Sequence, residues 1–120
     1  MKLIVLTAET DLAGGTTAER FDGAAHGGGV AVSFFLNHTP PGRGAGPHRH
    51  PYAEVFAIRD GEATFVVDGA TIAAHGGQVV VVPAGATHAF TNSGERPLEM
   101  TSIHAAAEMV TDWIGEGDEQ

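Results

Sequence analysis

The sequence predicts an all-β fold, an antiparallel sandwich curled into a barrel. Three observations carry this. Short apolar stretches recur at regular spacing along most of the chain. Two Asp-Gly pairs, Asp60-Gly61 and Asp68-Gly69, punctuate them as turn signals, because the tight hairpin turn needs positive φ. A helical period surfaces only once, close to the C-terminus.

Taken in order, residues 2–6, KLIVL, form a first strand. Residues 7–29 are rich in Gly, Ala, Thr and acid and read as loop or an irregular edge. Residues 30–37, VAVSFFLN, form a second strand, and the Gly/Pro-dominated 39–47 a turn region. Strands at 52–59 and 63–67 each end on an Asp-Gly pair, and a short strand follows at 70–74. The valine run within 78–82 reads as a buried strand, with further strands at 87–91 and 97–104. Residues 105–114, AAAEMVTDWI, predict a short C-terminal helix with Ala106, Val110 and Trp113 as its apolar stripe. The tail GEGDEQ is expected to fray.

The 120 residues fit one domain spanning 1–120, and an apolar fraction of 42% can support a core. With no cysteine, disulfides and thiolate metal sites are excluded, so any metal must be held by nitrogen and oxygen. Fifteen acids against six bases give a formal charge of −9, which argues against nucleic-acid partners and for solubility. No apolar run reaches the roughly 18 residues of a membrane span, and the first residues make a poor secretory signal, so the expected compartment is the cytoplasm.

The chemistry concentrates in two stretches. Residues 42–61, GRGAGPHRHPYAEVFAIRDG, hold His48, His50 and Glu54. Side chains alternate along a strand, so His48 and His50 face one way, and Glu54 joins them by parity if the chain stays extended past Pro51. Residues 77–92, GQVVVVPAGATHAFTN, supply His88, with Phe90 and Asn92 on its face. Three imidazoles and a carboxylate are the ligand set of a mononuclear transition-metal site. Tyr52, Phe56 and Phe90 share parity with the ligands and are candidates to line a substrate pocket, together with Met100 and His38. Arg49 has the opposite parity and should point away, which disfavours an anionic phosphosugar substrate. Gly44 and Gly46 are read as giving the backbone freedom, and no role is assigned to His26, His75 or His104, though His104 shares parity with Leu98 and Met100.

These stretches resemble the two motifs of the cupin superfamily. Gly42, His48, His50, Glu54 and Gly61 meet G-x5-H-x-H-x3-E-x6-G, and Gly77, Pro83, Gly85, His88 and Asn92 meet G-x5-P-x-G-x2-H-x3-N, with every spacing kept. The resemblance implies a double-stranded β-helix, the jelly-roll barrel of small single-domain bacterial cupins. It also implies one divalent transition metal ion (Fe, Mn, Ni, Zn, Cu or Co) on His48, His50, Glu54 and His88. The expected activity is that of a small metal-dependent enzyme of dioxygenase type acting on an enolic or diketone-like molecule, with Glu54 able to accept a proton. Two alternatives stay open: a non-catalytic, metal-anchored binding or sensor module, and a metal-dependent isomerase. Exposed sheet edges further lead us to expect a homodimer, with residues 2–6 or 30–37 at the interface.

Overall fold

The computed structural model describes residues 3–114. Along the chain run a helical turn α1 (Ala8–Asp11), strands β1 (Ala13–Gly14) and β2 (Ala18–Phe21), a second helical turn α2 (Gly23–His26), and then β3 (Ser33–Thr39) and β4 (Gly44–Arg49). They are followed by β5 (Glu54–Asp60), β6 (Glu62–Val67), β7 (Ala70–His75), β8 (Val79–Val82), β9 (His88–Asn92), β10 (Leu98–His104) and β11 (Asp112–Trp113). The strands make a six-stranded sheet, ordered β1-β2-β3-β10-β5-β8, and a five-stranded sheet, ordered β11-β4-β9-β6-β7. All pairings are antiparallel.

The inner faces of both sheets bury one core, in which Phe56, Phe65, Leu98 and Met100 are fully enclosed among Ile58, Val82 and Phe90. Phe56 and Phe65 meet edge to face at 5.0 Å. Phe, Ile and Val at alternate positions of β5 and β6 do what the pleat requires, one face inward and one to solvent.

The valine run, expected as a buried strand, is instead the edge strand β8, with Val79 and Val81 61% and 64% exposed and only Val82 fully buried. The structure departs from the sequence expectations in four further places. Asp68-Gly69 does close a two-residue hairpin between Val67 and Ala70, with φ of 47° and 84°. Asp60-Gly61 instead carries the chain from one sheet to the other: β5 and β6 are not paired, and only Gly61 of the two has positive φ. Residues 3–6 form no strand, and Lys2 lies outside the described residues, as does the tail from residue 115. Within 39–47, a strand begins already at Gly44; neither Gly44 nor Gly46 has positive φ. A Cβ on Gly44 would stand 1.9 Å from the Phe90 carbonyl oxygen, so this glycine serves close strand approach.

The last departure is the C-terminal segment, which is not helical. Residues 105–108 bend, and β11 then pairs with β4, Trp113 opposite His48. A helix would need the carbonyls of this segment for its own ladder. They are used elsewhere: Ala107 O accepts from Ala24 N, Ser33 Oγ donates to Ala106 O, and Val110 O is taken by His50. The segment thus becomes a strap across one end of the barrel.

Candidate metal centre

At the strapped end, both sheets contribute polar side chains above the core. His48 on β4 lies directly opposite His88 on β9, their rings 4.2 Å apart. One extra residue on β4 between Ala45 and His48, at Gly46-Pro47, makes a bulge. It lets both Ala45 and His48 face inward despite their odd separation. His50 keeps the parity of His48 just past the end of β4. The chain does not stay extended past Pro51. It bends at Pro51-Tyr52 and crosses to the other sheet, where Glu54 opens β5. Glu54 therefore owes its inward position to its own strand, on the face of Phe56 and Ile58, and not to a register shared with His50.

The four residues are 2–4% exposed, and their ligand atoms all lie within 4.8 Å of one another. Glu54 Oε1 is 2.9 Å from His50 Nε2 and 3.0 Å from His88 Nε2. Cis ligands on an octahedral ion with bonds near 2.1 Å stand about 3 Å apart, so these edges have the size of a coordination shell.

The proton inventory makes the same point. His48 Nδ1 donates to Gly46 O at 2.7 Å, His50 Nδ1 to Val110 O at 2.8 Å, and His88 Nδ1 to Ala86 O at 2.9 Å. A carbonyl can only accept, so each neutral ring carries its proton on Nδ1 and presents the lone pair of Nε2 to the centre. Three lone pairs and a carboxylate oxygen then face one another in a buried space. His50 Nε2 has no hydrogen-bond partner at all, though it lies beside Oε1. A cation at the centre satisfies all four groups together. This donor set, imidazole and carboxylate only, suits a first-row divalent ion.

Electrostatics agree. Burial pushes His48 down to about 4, keeping it neutral and ready to ligate. Burial would raise the Glu54 carboxyl, but the imidazoles around it, His104 foremost, hold it well below the usual carboxylate range. Burial works against a charge on His88, yet contact with Glu54 raises it. The carboxylate that would help hold a proton there would equally help hold a metal ion.

A family model described as the cupin domain matches residues 35–104, more than half the chain. The chain belongs to the cupin family. No curated protein matches its sequence. Among solved structures, the oxalate decarboxylase of Bacillus subtilis, in work on its Mn(II) centres, superposes with a TM-score of 0.76 at 22% identity, covering 88% of this chain and 30% of that one. An oxalate oxidase gives a TM-score of 0.75 at 20% identity, covering 92% of this chain and 63% of that one. A protein with a double-stranded β-helix domain from Klebsiella pneumoniae gives 0.64 at 22% identity, covering 69% and 70%. The cupin therefore spans less than a third of the Bacillus enzyme it resembles. At these identities the likeness is one of fold.

The remaining candidates fall into three environments. Tyr52 is at the site: its ring stacks on His50 at 5.0 Å and 10°, and its hydroxyl meets His104. Phe56, Phe90 and Met100 belong to the core cluster beneath the site, where Phe56 presents its ring to His88 at 6.0 Å. His38 is on the outer face of β3, bridging Glu19 and Glu99 at 2.9 and 2.7 Å, so its parity places it away from the pocket. The inner face of β3 carries Ser33, Phe35, Asn37 and Thr39 instead. Arg49 points out and pairs with Asp112. Three features escaped the sequence reading. His104, 2% exposed, sits opposite Glu54 with Nε2 3.2 Å from Oε2. Trp113 lies 4.8 Å from the His48 ring. Val110 supplies the carbonyl that orients His50. Only His104 left a trace in the sequence, through its parity with Leu98 and Met100.

Proposed function

We propose that this cupin is a small metal-dependent enzyme of dioxygenase type, acting on an enolic or diketone-like molecule that chelates the ion. The observation that carries the reading is the charge balance of the buried site. Three neutral imidazoles and one carboxylate around a divalent ion leave one positive charge, and no Lys or Arg is among the buried residues described. That residue of charge matches a monoanionic chelate such as an enolate. A dianion or a phosphosugar would leave a buried negative charge unpaired. Four protein ligands leave up to two positions on an octahedral ion, enough for two cis oxygens of one small molecule.

When bound, the metal would act as Lewis acid and template for the chelating substrate, with dioxygen reacting beside it. The chain's own residues do the rest. His48, His50 and His88 hold their rings fixed through backbone carbonyls. The strap over 105–114 keeps bulk water from the ligands. Glu54 is the carboxylate within reach of a substrate bound there, and we assign it transient acceptance of the enol proton, which passes on to solvent so that the enolate remains as the monoanion. The second copy of a homodimer would cover the outer face of β2 and β3, where Leu3, Ile4, Leu6, Phe21, Val30 and Phe34 line an apolar groove.

The test is elemental analysis of protein purified without added metal, then an oxygen-uptake screen with small diketones and enediols. Metal-dependent uptake with one of them is expected. Tight binding of such a ligand without uptake would refute the oxygenase and leave a metal-anchored binding module. Uptake equal with and without metal would refute both. Sedimentation showing a monomer at high micromolar concentration would refute the dimer.

A further inference from the structure

His104 is buried at the end of β10, beside the ligand set but outside it. Its two nitrogens have different partners. Nδ1 lies 2.8 Å from the Tyr52 hydroxyl, and Nε2 lies 3.2 Å from Glu54 Oε2. The Tyr52 oxygen already accepts from Val110 N–H at 3.1 Å. The hydroxyl proton is then free to donate, and His104 Nδ1 at 2.8 Å is a far better acceptor than Val110 O at 3.5 Å. An Nδ1 that accepts leaves the proton of the neutral ring on Nε2. His104 is thus the reverse tautomer of His48, His50 and His88, whose Nδ1–H groups donate to carbonyls.

We infer that Tyr52 and His104 are positioning residues for the metal carboxylate: Tyr52 fixes His104 as the Nε2–H tautomer, and that N–H holds Glu54 Oε2 so that Oε1 alone faces the ion. This rests on the metal-centre reading above. The two carboxylate oxygens are already divided this way, Oε1 toward His50 and His88 and Oε2 toward His104. One-oxygen coordination matters because a carboxylate freed to swing would take a second position on the ion. The position it would take is one that a chelating substrate needs. The network also ties the strap to the ligand set, since Val110 serves both Tyr52 and His50.

The experiment uses Mn(II) alone as probe on wild type, His104→Leu, His104→Gln and Tyr52→Phe. Affinity is read from the free-ion EPR signal, geometry from the bound-ion spectrum, and bound water from proton relaxation. His104→Leu is expected to weaken Mn(II) roughly 10- to 100-fold, as loss of a partner to a ligating carboxylate does. Its bound spectrum should change, and relaxation should fall as Oε2 displaces a water. His104→Gln, whose amide N–H replaces the lost donor, should restore the wild-type spectrum. Tyr52→Phe should move the spectrum in the direction of His104→Leu, and should add nothing when combined with His104→Gln. A role limited to packing would move melting temperature but neither the bound spectrum nor the rescue by Gln. Wild-type spectra in both His104→Leu and Tyr52→Phe would overturn the inference. If His104→Leu fails to fold, an unchanged Tyr52→Phe spectrum overturns it alone. Wild type that binds no Mn(II) would bring down the metal reading, a result distinct from bound metal with unchanged spectra.

Discussion

Gly44→Ala tests whether the two halves of the metal centre depend on close strand contact. Gly44 pairs with Thr91, and the Cβ of an alanine there would meet Phe90 O at 1.9 Å, Phe90 C at 2.8 Å and Thr91 Cα at 2.9 Å. All three are backbone atoms, so no side-chain rotation relieves the overlap. The strands must separate by more than an ångström to bring the carbonyl contact to 3.0 Å. Two effects oppose each other. Replacing Gly by Ala lowers the entropy of the unfolded chain, a gain of about 0.4–1 kcal/mol. Opening β4 from β9 forfeits about two ladder hydrogen bonds at ~1 kcal/mol each and loosens Ala45 and Phe90, a loss of about 2–4 kcal/mol. The clash wins, and Tm should fall on the order of 10 °C. The same pair of strands carries His48 opposite His88. Metal affinity should therefore fall as well, although Gly44 touches no ligand. Thermal melts with and without metal, beside a metal titration, read both effects. A Gly44→Ala variant that melts at or above wild type would refute the steric argument, and unchanged affinity in a destabilised variant would refute the coupling to the site.

Three further outcomes are expected. His50→Ala and His88→Ala should each lose most bound metal by elemental analysis, while Glu54→Gln should retain part of it, because the amide oxygen still ligates but carries no charge. Metal binds only the assembled site, so holo protein should melt above apo protein at about pH 7.5, by about 2.7 kcal/mol at a free metal concentration near 100 times Kd; the gap should close towards about pH 5, because metal must displace the proton that Glu54 helps His88 to keep, and equal melting at the higher pH with metal removal confirmed would refute the site. Glu19 and then Glu99 raise His38 above its ordinary value despite partial burial, so its contribution to stability is fully present below about pH 6.5 and lost as pH rises through the raised value. The side chain is 41% exposed and screened, so His38→Leu should cost on the order of 1 kcal/mol or less at about pH 6 and nothing at about pH 9, read by urea unfolding.

The barrel was legible because strands of this fold alternate and its turns use glycine. Phe56, Ile58, Ala63 and Phe65 face the core as period two requires. The same rule does not say which face of β3 turns inward, and His38, expected at the pocket, lies on the outer one. Phe34 and Leu36 lie on the outer face, while Ser33, Asn37 and Thr39 are buried beside Phe35. The physical reason is long-range. Phe21 stacks on Phe34 at 4.7 Å, and Leu3, Ile4, Leu6 and Leu12 line the same apolar groove with Phe34 and Leu36, so the outer face has apolar neighbours of its own. Inside, Asn37 donates to Ser102 Oγ and Ser33 donates to the strap carbonyls, so the buried polar groups are satisfied. No local pattern distinguishes a strand with apolar groups on its covered outside from one with apolar groups on its inside. His38 went outward with that face.

The ligand set was legible for a reason partly different from the one parity offered. His48 and His50 do share a strand face, but Glu54 reaches the centre after the chain has turned at Pro51-Tyr52 and changed sheets. Spacing between His50 and Glu54 is thus the length of a sheet crossing, in which Tyr52 is placed at the corner. That corner is what brings the Tyr52 hydroxyl over the ligands and within 2.8 Å of His104 from a strand fifty residues later. A parity argument confined to one strand sees Tyr52 as another inward aromatic and His104 as an unassigned histidine. Once the crossing is known, the two come together: β10 pairs with β5 so that His104 faces Glu54, and Tyr52, two residues before Glu54, sets its hydroxyl on His104. The tight spacing of the first motif therefore does more than gather ligands. It sets one hydroxyl at the end of the barrel where His104 meets the carboxylate's second oxygen.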